Sequence, residues 1–540
     1  VNAPSLFDQA SRLRDLPAEV DDDEAFADGT PATVAALLYD HFTGDDRSFQ
    51  ALHDRLAAVR IRLWMIEPAL LPPLDPDVAR ETGRRLVRRS TSVVAATVGL
   101  RLLAGRASPE DVPVIRTVGL LSPLTPAAID VLETIPGAAA DLVWLAERAA
   151  PHHLDRAVAA LCRVRDPATF AWLLRRATDS RGGEVAQAVS LADLLEGDGV
   201  ADAVVVHAGR LLREQIGFRY STVRIDEFPD ACRTLTAFAA RAETAGPVLD
   251  LLASAIALAD DLRTGPTGCL PWPPGDRAAT LARLERLIAS PRWAPVIAEA
   301  ARSADPLTRW RAEWAARAVS PVPVPSGLGV YVVVPDPARG ERAETRLLVD
   351  GLPVVAEGFR SGPPEAPERL LPALRAVKEP REVRLAEAWC IEGCCGALHV
   401  TIVREGDTVV WRDWRGHRPG AALTTFRFRA EEYDRALDGA VQDEGWKWPA
   451  RTLADRLARR LGDDPGLLGR WECEIDGVHA AHDRIEVVFW QRGRPRIQFG
   501  WTVPVDETDL DGQVTRIVDR LRGHDPRGEA ERLGFTWPEE

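Results

Sequence analysis

Three cysteines and a histidine fall within ten residues of AWCIEGCCGALHV, residues 388 to 400. Thiolate and imidazole are the donors zinc prefers, and a tight turn flanked by glycine lets such side chains converge to about 2.0–2.3 Å from an ion. The ligand set would be Cys390, Cys394, Cys395 and His399, with Cys473, His479 and His482 as further donors from later in the chain. The spacing C-x3-C-C-x3-H is not a standard zinc pattern, because adjacent cysteines do not easily both face one ion. On a strand, His399 alternates with Leu398 and Val400, so it would point to the solvated face while they point to the core. Buried cysteine also behaves as a small hydrophobe that fills gaps. Redox work needs a stabilised thiolate, which the nearby Glu387 and Glu392 oppose. Three readings therefore stand side by side: a packed structural turn, a site for zinc or another thiophilic metal, and a vicinal redox pair.

Composition narrows the setting. The chain has 540 residues, 46% hydrophobic and 27% charged, the balance of a folded protein too long for one core. A formal charge of −14 disfavours nucleic acid and anionic membranes as partners. Only Lys378 and Lys447 among the 67 basic residues are lysine, a bias of GC-rich bacterial coding. No GxxxxGK[ST] loop is present, so ATP-driven function is not expected. The opening run VNAPSLFDQASRLRDLPAEVDDDEAF has neither a basic n-region nor an apolar h-region, and seven scattered cysteines do not form a secreted disulfide pattern. The expectation is a cytoplasmic protein with reduced thiols.

The elements that must carry the cysteines follow from two different patterns. Residues 1–30 read as a flexible acidic segment. From 31 to 319, apolar residues recur at i, i+3, i+4 and i+7 between Pro, Asp or Gly breaks, the signature of helix after helix. Residues 93–121 overlay 152–177 at a shift of 58, matching Leu100 to Val158, Leu103 to Leu161, Pro109 to Pro167, Val112 to Phe170 and Ile115 to Leu173. Each block predicts a helix, a Ser-Pro or Asp-Pro break with Ser108 or Asp166 as cap, and a second helix. The segment resembles HEAT-type repeats, a likeness that implies an α-solenoid with a binding groove; a compact helical bundle is the alternative. SPVPVPSGLG, 320–329, reads as a proline-rich linker.

Beyond it, 330–540 reads as strands. VYVVVPD and TRLLVDGLPVV, with Asp350-Gly351 between alternating apolar runs, predict hairpins. ALHVTIVREGDTVVWRDW (397–414) overlays DRIEVVFWQRGRPRIQFGW (483–501) at a shift of 87, with Gly406 on Gly493 and Trp414 on Trp501. GWKWP (445–449) matches GFTWP (534–538) at a shift of 89. The expectation is an α+β domain with an internal duplication, copies at about 385–449 and 471–538, and antiparallel sheet with helices to one side. The overlay sets Cys395 on His482, Cys394 on Ala481 and His399 on Glu486. The run EVRLAEAWCIEGCCGALHVTI is similar to a segment of uncharacterised actinobacterial proteins with a helical-repeat front and such a tail; the likeness implies no activity.

Weaker candidates are the face Arg84, Arg85, Arg88 and Arg89, the acidic Asp21–Asp23, the pair His152-His153, and the irregular loop GPTGCLPWPPGD at 265–276. None sits in an HExxH, GxSxG or GxGxxG context. The chain therefore reads as a non-enzymatic scaffold that offers a helical-repeat surface to a protein partner, without a cofactor. The alternative is a zinc-binding enzyme or sensor with its site in the C-terminal domain.

Overall fold

In the computed structural model the described residues are 4–12, 29–67, 74–176, 181–216, 224–318, 327–339, 342–390 and 392–536. Helices fill the chain to Ala318, and antiparallel sheets follow from Leu328. The chain forms two compact units, one of Val1–Gln215 with Tyr220–Pro229, the other of Ile216–Arg219 with Asp230–Glu540. No helix among the described residues is long and apolar enough to cross a membrane.

The first unit is helical. Ser5 caps a short helix, Leu6–Ala10, whose Leu6 and Ala10 are buried, so part of the segment expected to be a flexible tail is packed. Asp21–Asp23 lie outside the described residues. The two overlaid blocks have the same local structure: helix Val93–Leu103, a 3-10 turn Pro109–Asp111 and helix Val112–Val118, against helix Leu154–Val164, a 3-10 turn Pro167–Thr169 and helix Phe170–Arg176. Proline, lacking an N–H, starts each 3-10 turn, and the side chain of Asp166 accepts the N–H of Ala168 at 2.9 Å. Leu100, Leu103 and Ile115 are buried, as are Val158, Leu161 and Leu173 at the matching positions. Arg116 bonds Asp141 at 2.9 Å, and Arg156 bonds Asp130 through two nitrogens at 2.8 and 2.6 Å, tying side chains 25 and 26 residues apart.

The second unit contains the helices of 231–318 and three sheets. The first sheet is β1 (Leu328–Val333), β2 (Glu344–Val349) and β3 (Leu352–Pro353). Asp350 and Gly351 between β2 and β3 both have positive φ, 49° and 82°, as a two-residue hairpin turn requires. Of the expected linker only 327–329 are described, and Leu328 and Gly329 are already in β1.

The other two sheets are four-stranded antiparallel meanders. One is β4 (Arg381–Glu387), β5 (Ala397–Glu405), β6 (Thr408–Arg415) and β7 (Phe426–Arg429). The other is β8 (Cys473–Ala480), β9 (Arg484–Gln491), β10 (Arg496–Pro504) and β11 (Glu531–Thr536). Leu398, Val400 and Ile402 of β5 point into one core, and Ile485, Val487 and Phe489 of β9, each 87 residues on, point into the other. Ile402 pairs with Trp411, while Phe489 pairs with Phe499, so on the third strand the offset is 88. A bulge restores 87: Asp413, at φ 54°, and Trp414 together oppose Val400, whereas Trp501 alone opposes Val487.

The two meanders diverge at their fourth strand. In the first, β7 precedes helix Ala430–Gln442; in the second, helix Leu510–Gly523 precedes β11. The Trp-Pro match divides accordingly. Trp448-Pro449 opens helix Pro449–Asp463, whereas Gly534–Thr536 lies in β11, and Trp537-Pro538 lies outside the described residues.

Candidate metal centre

The cysteine run is the connection between β4 and β5. These strands pair to the end, Glu387 opposite Ala397, and the nine residues between them form a tip on the hairpin. The corresponding β8–β9 connection is only Ala481, His482 and Asp483, with Ala480 opposite Ile485. The cysteines thus have no structural counterpart in the second meander. The overlay that set Cys395 on His482 and Cys394 on Ala481 aligned an insertion with a short turn.

Local bonds close the tip. Ala388 N donates to Gly396 O at 3.0 Å, and Gly396 N donates to Glu392 O at 2.9 Å. Gly396 has φ 87°, a left-handed conformation that side chains resist, so glycine is required where the chain turns back into β5. Residues 361–362 lie directly beneath. Trp389 N donates to Ser361 O at 3.1 Å, and a Cβ on Gly362 would sit 1.8 Å from Glu387 O.

Glu392–Cys395 form a single helical turn, bringing Cys394 and Cys395 round beside Cys390. The three Sγ atoms lie within 4.8 Å of one another, and all three residues are exposed. Cys395 Sγ is 3.6 Å from Cys394 Sγ. Hydrogen bonding to Cys390 and Cys394, followed by repulsion from their thiolates, pushes the Cys395 thiol up to about 12. None of the seven cysteines is in a disulfide.

His399 is not part of this group. As the strand alternation implies, it lies on the face away from Leu398 and Val400. Its Nε2 is 2.9 Å from Glu392 Oε1 and its Nδ1 3.9 Å from Glu382 Oε2. His399, with Arg384, keeps the Glu392 carboxyl below the usual glutamate range. Arg384 also bonds Glu365 at 2.7 Å and lies 3.0 Å from Glu387. The imidazole therefore anchors the turn that carries two cysteines. Glu392 and Arg384, which do this anchoring, were not singled out from sequence; Glu392 was legible only as a charge unfavourable to thiolate.

The three later donors are elsewhere. Cys473 is buried in the second meander's core, where its thiol donates to Trp471 O at 3.3 Å. His479 on β8 lies opposite Glu486, and burial, chiefly, lowers its pKa. His482 stacks on Trp310 with ring centroids 5.4 Å apart. Among the described residues the group of converging donors is Cys390, Cys394 and Cys395.

The weaker candidates have structural partners. Arg84 pairs with Asp111 and Glu110, Arg85 and Arg89 lie over Phe49, and Arg88 lies over Phe7. A face so engaged is a poor phosphate clamp. His153 Nε2 is 3.1 Å from Ser122 Oγ, and burial, then the neighbouring His152, lower its pKa to about 4. In the loop of 265–276, Trp272 Nε1 donates to Thr267 O at 2.7 Å, and Thr267 N to Asp261 at 2.9 Å. Asp261 is itself buried, 3.4 Å from the enclosed guanidinium of Arg346, which Glu344 also holds at 2.9 Å. That ion cluster ties helix Leu249–Thr264 to β2.

Comparison with protein-family models, with curated proteins and with solved structures finds no match.

Proposed function

We propose that the chain is a non-enzymatic binding protein for a soft metal ion, with the thiols of Cys390, Cys394 and Cys395 as ligands. The observation that carries this reading is the convergence of three exposed sulfurs within 4.8 Å on a hairpin tip that the second copy lacks. Soft thiolate donors select thiophilic ions, zinc and Cu(I) among them, over hard cations. The position of the site suits a sensor or carrier better than a structural metal. Structural zinc is closed by four protein ligands and supports folding, whereas the hydrophobic cluster beneath this tip takes only Ala388 from it and none of the cysteines. A reducing compartment would keep the thiols ready. The reading is tested by adding zinc chloride, and separately a Cu(I) complex, to the reduced full-length protein. Uptake of one ion per chain, with Cys390, Cys394 and Cys395 protected from alkylation, supports it. Equal alkylation with and without ion defeats it.

For the helices between 76 and 176 we infer a HEAT-like stack that offers its surface to a protein partner. The support is the set of ion pairs joining side chains 25 to 30 residues apart, including Arg163 with Glu133, which link successive helices as stacked repeats would. A photo-crosslinking residue in place of the exposed Val78 or Ala171 tests this. One discrete adduct, lost when the other position is made acidic, supports the reading, and the lack of any discrete adduct counts against it.

A further inference from the structure

The tip offers three sulfurs and keeps the neighbouring oxygen and nitrogen donors occupied. Glu392 Oε1 is bonded to His399 and Oε2 lies 3.4 Å from Arg384. Glu387 Oε1 accepts the N–H of Glu392 at 3.1 Å, and its Oε2 lies 3.0 Å from Arg384. No other histidine, cysteine, aspartate or glutamate donor joins the three thiols among the described residues. Zinc, which takes four ligands, would have to complete its shell with water. An ion satisfied by three sulfurs, with a lone pair in the fourth direction, would find its shell complete and its lone pair facing solvent.

We propose that the three thiols select a trivalent metalloid of the arsenite class over divalent zinc. This rests on the soft-metal reading above and names the ligand of the same site. The second line of argument is proton balance. From the thiol form zinc must expel three protons, Zn²⁺ with three R–SH giving Zn(SR)₃⁻ and three H⁺, and leaves a negatively charged complex at the tip. Arsenite arrives as the neutral hydroxide: As(OH)₃ with three R–SH gives As(SR)₃ and three H₂O. Three As–O and three S–H bonds break, three As–S and three O–H bonds form, and no oxidation state changes. The product is neutral, so no net charge is added to the tip. Adjacent cysteines suit this geometry because the metalloid lies above the plane of its sulfurs and does not need to be surrounded.

The reduced full-length protein is titrated with sodium arsenite and, separately, zinc chloride in weak buffer, following thiol protection and the protons released. The proposal expects arsenite to bind one per chain, at least about tenfold more tightly than zinc. It also expects arsenite to release close to no protons while zinc releases roughly two or three. X-ray absorption at the arsenic edge should show three sulfur neighbours, falling to two in Cys394→Ser, an exposed position whose change leaves the fold intact. Cys473→Ser should retain three. Zinc displacing arsenite at equal concentration would overturn the selectivity and leave the soft-metal reading standing. Failure of both probes to protect the thiols would overturn both.

Discussion

The two four-stranded meanders of the second unit fill separate cores in the same pattern and differ most, apart from the placing of their fourth strands, at the connection between their first two. Residues 398, 400 and 402 in the first and 485, 487 and 489 in the second fill the same inward positions. Three residues join the opening strands of the second, whereas nine join those of the first. Every converging thiol lies within the longer connection. The comparison separates what the fold needs from what has been added to it. The strands are stabilised by a similar pattern of burial in both meanders, while the cysteine tip contributes little to either core and is held by polar ties from Arg384 and His399. Where β5 carries His399 to hold that tip, β9 carries Glu486, and where β4 presents Arg384, β8 presents His479.

The sharpest break of the comparison would come from its shared part. Val400→Asp and Val487→Asp each bury an uncompensated charge at a fully enclosed position and should cost about 4 kcal/mol or more, in similar amounts, by chemical denaturation. A large inequality would mean that the two cores are not equivalent. Next in size, replacing 388–396 by the Ala-His-Asp of the shorter connection should abolish soft-ion binding while shifting stability by about 1 kcal/mol or less, since shortening a loop changes closure entropy only slowly. Cysteine substitutions should divide in the same way. Cys473→Ser places a hydroxyl in a core and should cost about 1–3 kcal/mol with binding intact. Cys394→Ser at the exposed tip should stay within about 0.5 kcal/mol and hold the ion more weakly, through the two remaining sulfurs.

The smallest effect concerns pH. Burial lowers the pKa of His479 in the fold below its unfolded value, so the unfolded chain takes up the proton first. The stability associated with neutral His479 is present above the ordinary histidine range and is lost as pH falls through that range. Arg384, at the matching place in the first meander, stays charged throughout. Denaturant midpoints measured from pH 7.5 to 5 should therefore fall less in His479→Gln than in the native chain. Parallel curves would show that His479 does not contribute.

Much of this architecture was legible in sequence because apolar periodicity reports directly on burial. The helix, proline turn, helix blocks at 93–118 and 154–176 follow from spacing and from the fixed φ of Pro109 and Pro167. The likeness of the two meanders was legible because Gly406 and Trp414 reappear as Gly493 and Trp501 at a common shift of 87. The insertion was hidden by the same overlay. An alignment anchored on Trp414 and Trp501 has no means of registering six extra residues upstream of β5, because loop residues carry no periodicity. The Trp-Pro match misled in a related way, since Trp448-Pro449 begins a helix while Gly534 lies in a strand. Within the site, the cysteines could be read from their types, but the role of His399 could not. Its partner Glu392 is seven residues away, and only the hairpin fold brings the two to 2.9 Å.

The most direct test of the central claim is differential alkylation of the reduced full-length protein, with cysteine-resolved mass spectrometry, before and after one equivalent of a thiophilic ion. A binding site at the hairpin tip requires Cys390, Cys394 and Cys395 to become protected together, in a 1:1 complex, while Cys162, Cys232, Cys269 and Cys473 keep their original rates. Unchanged reactivity of the three tip cysteines, or protection spread equally over all seven, would contradict it.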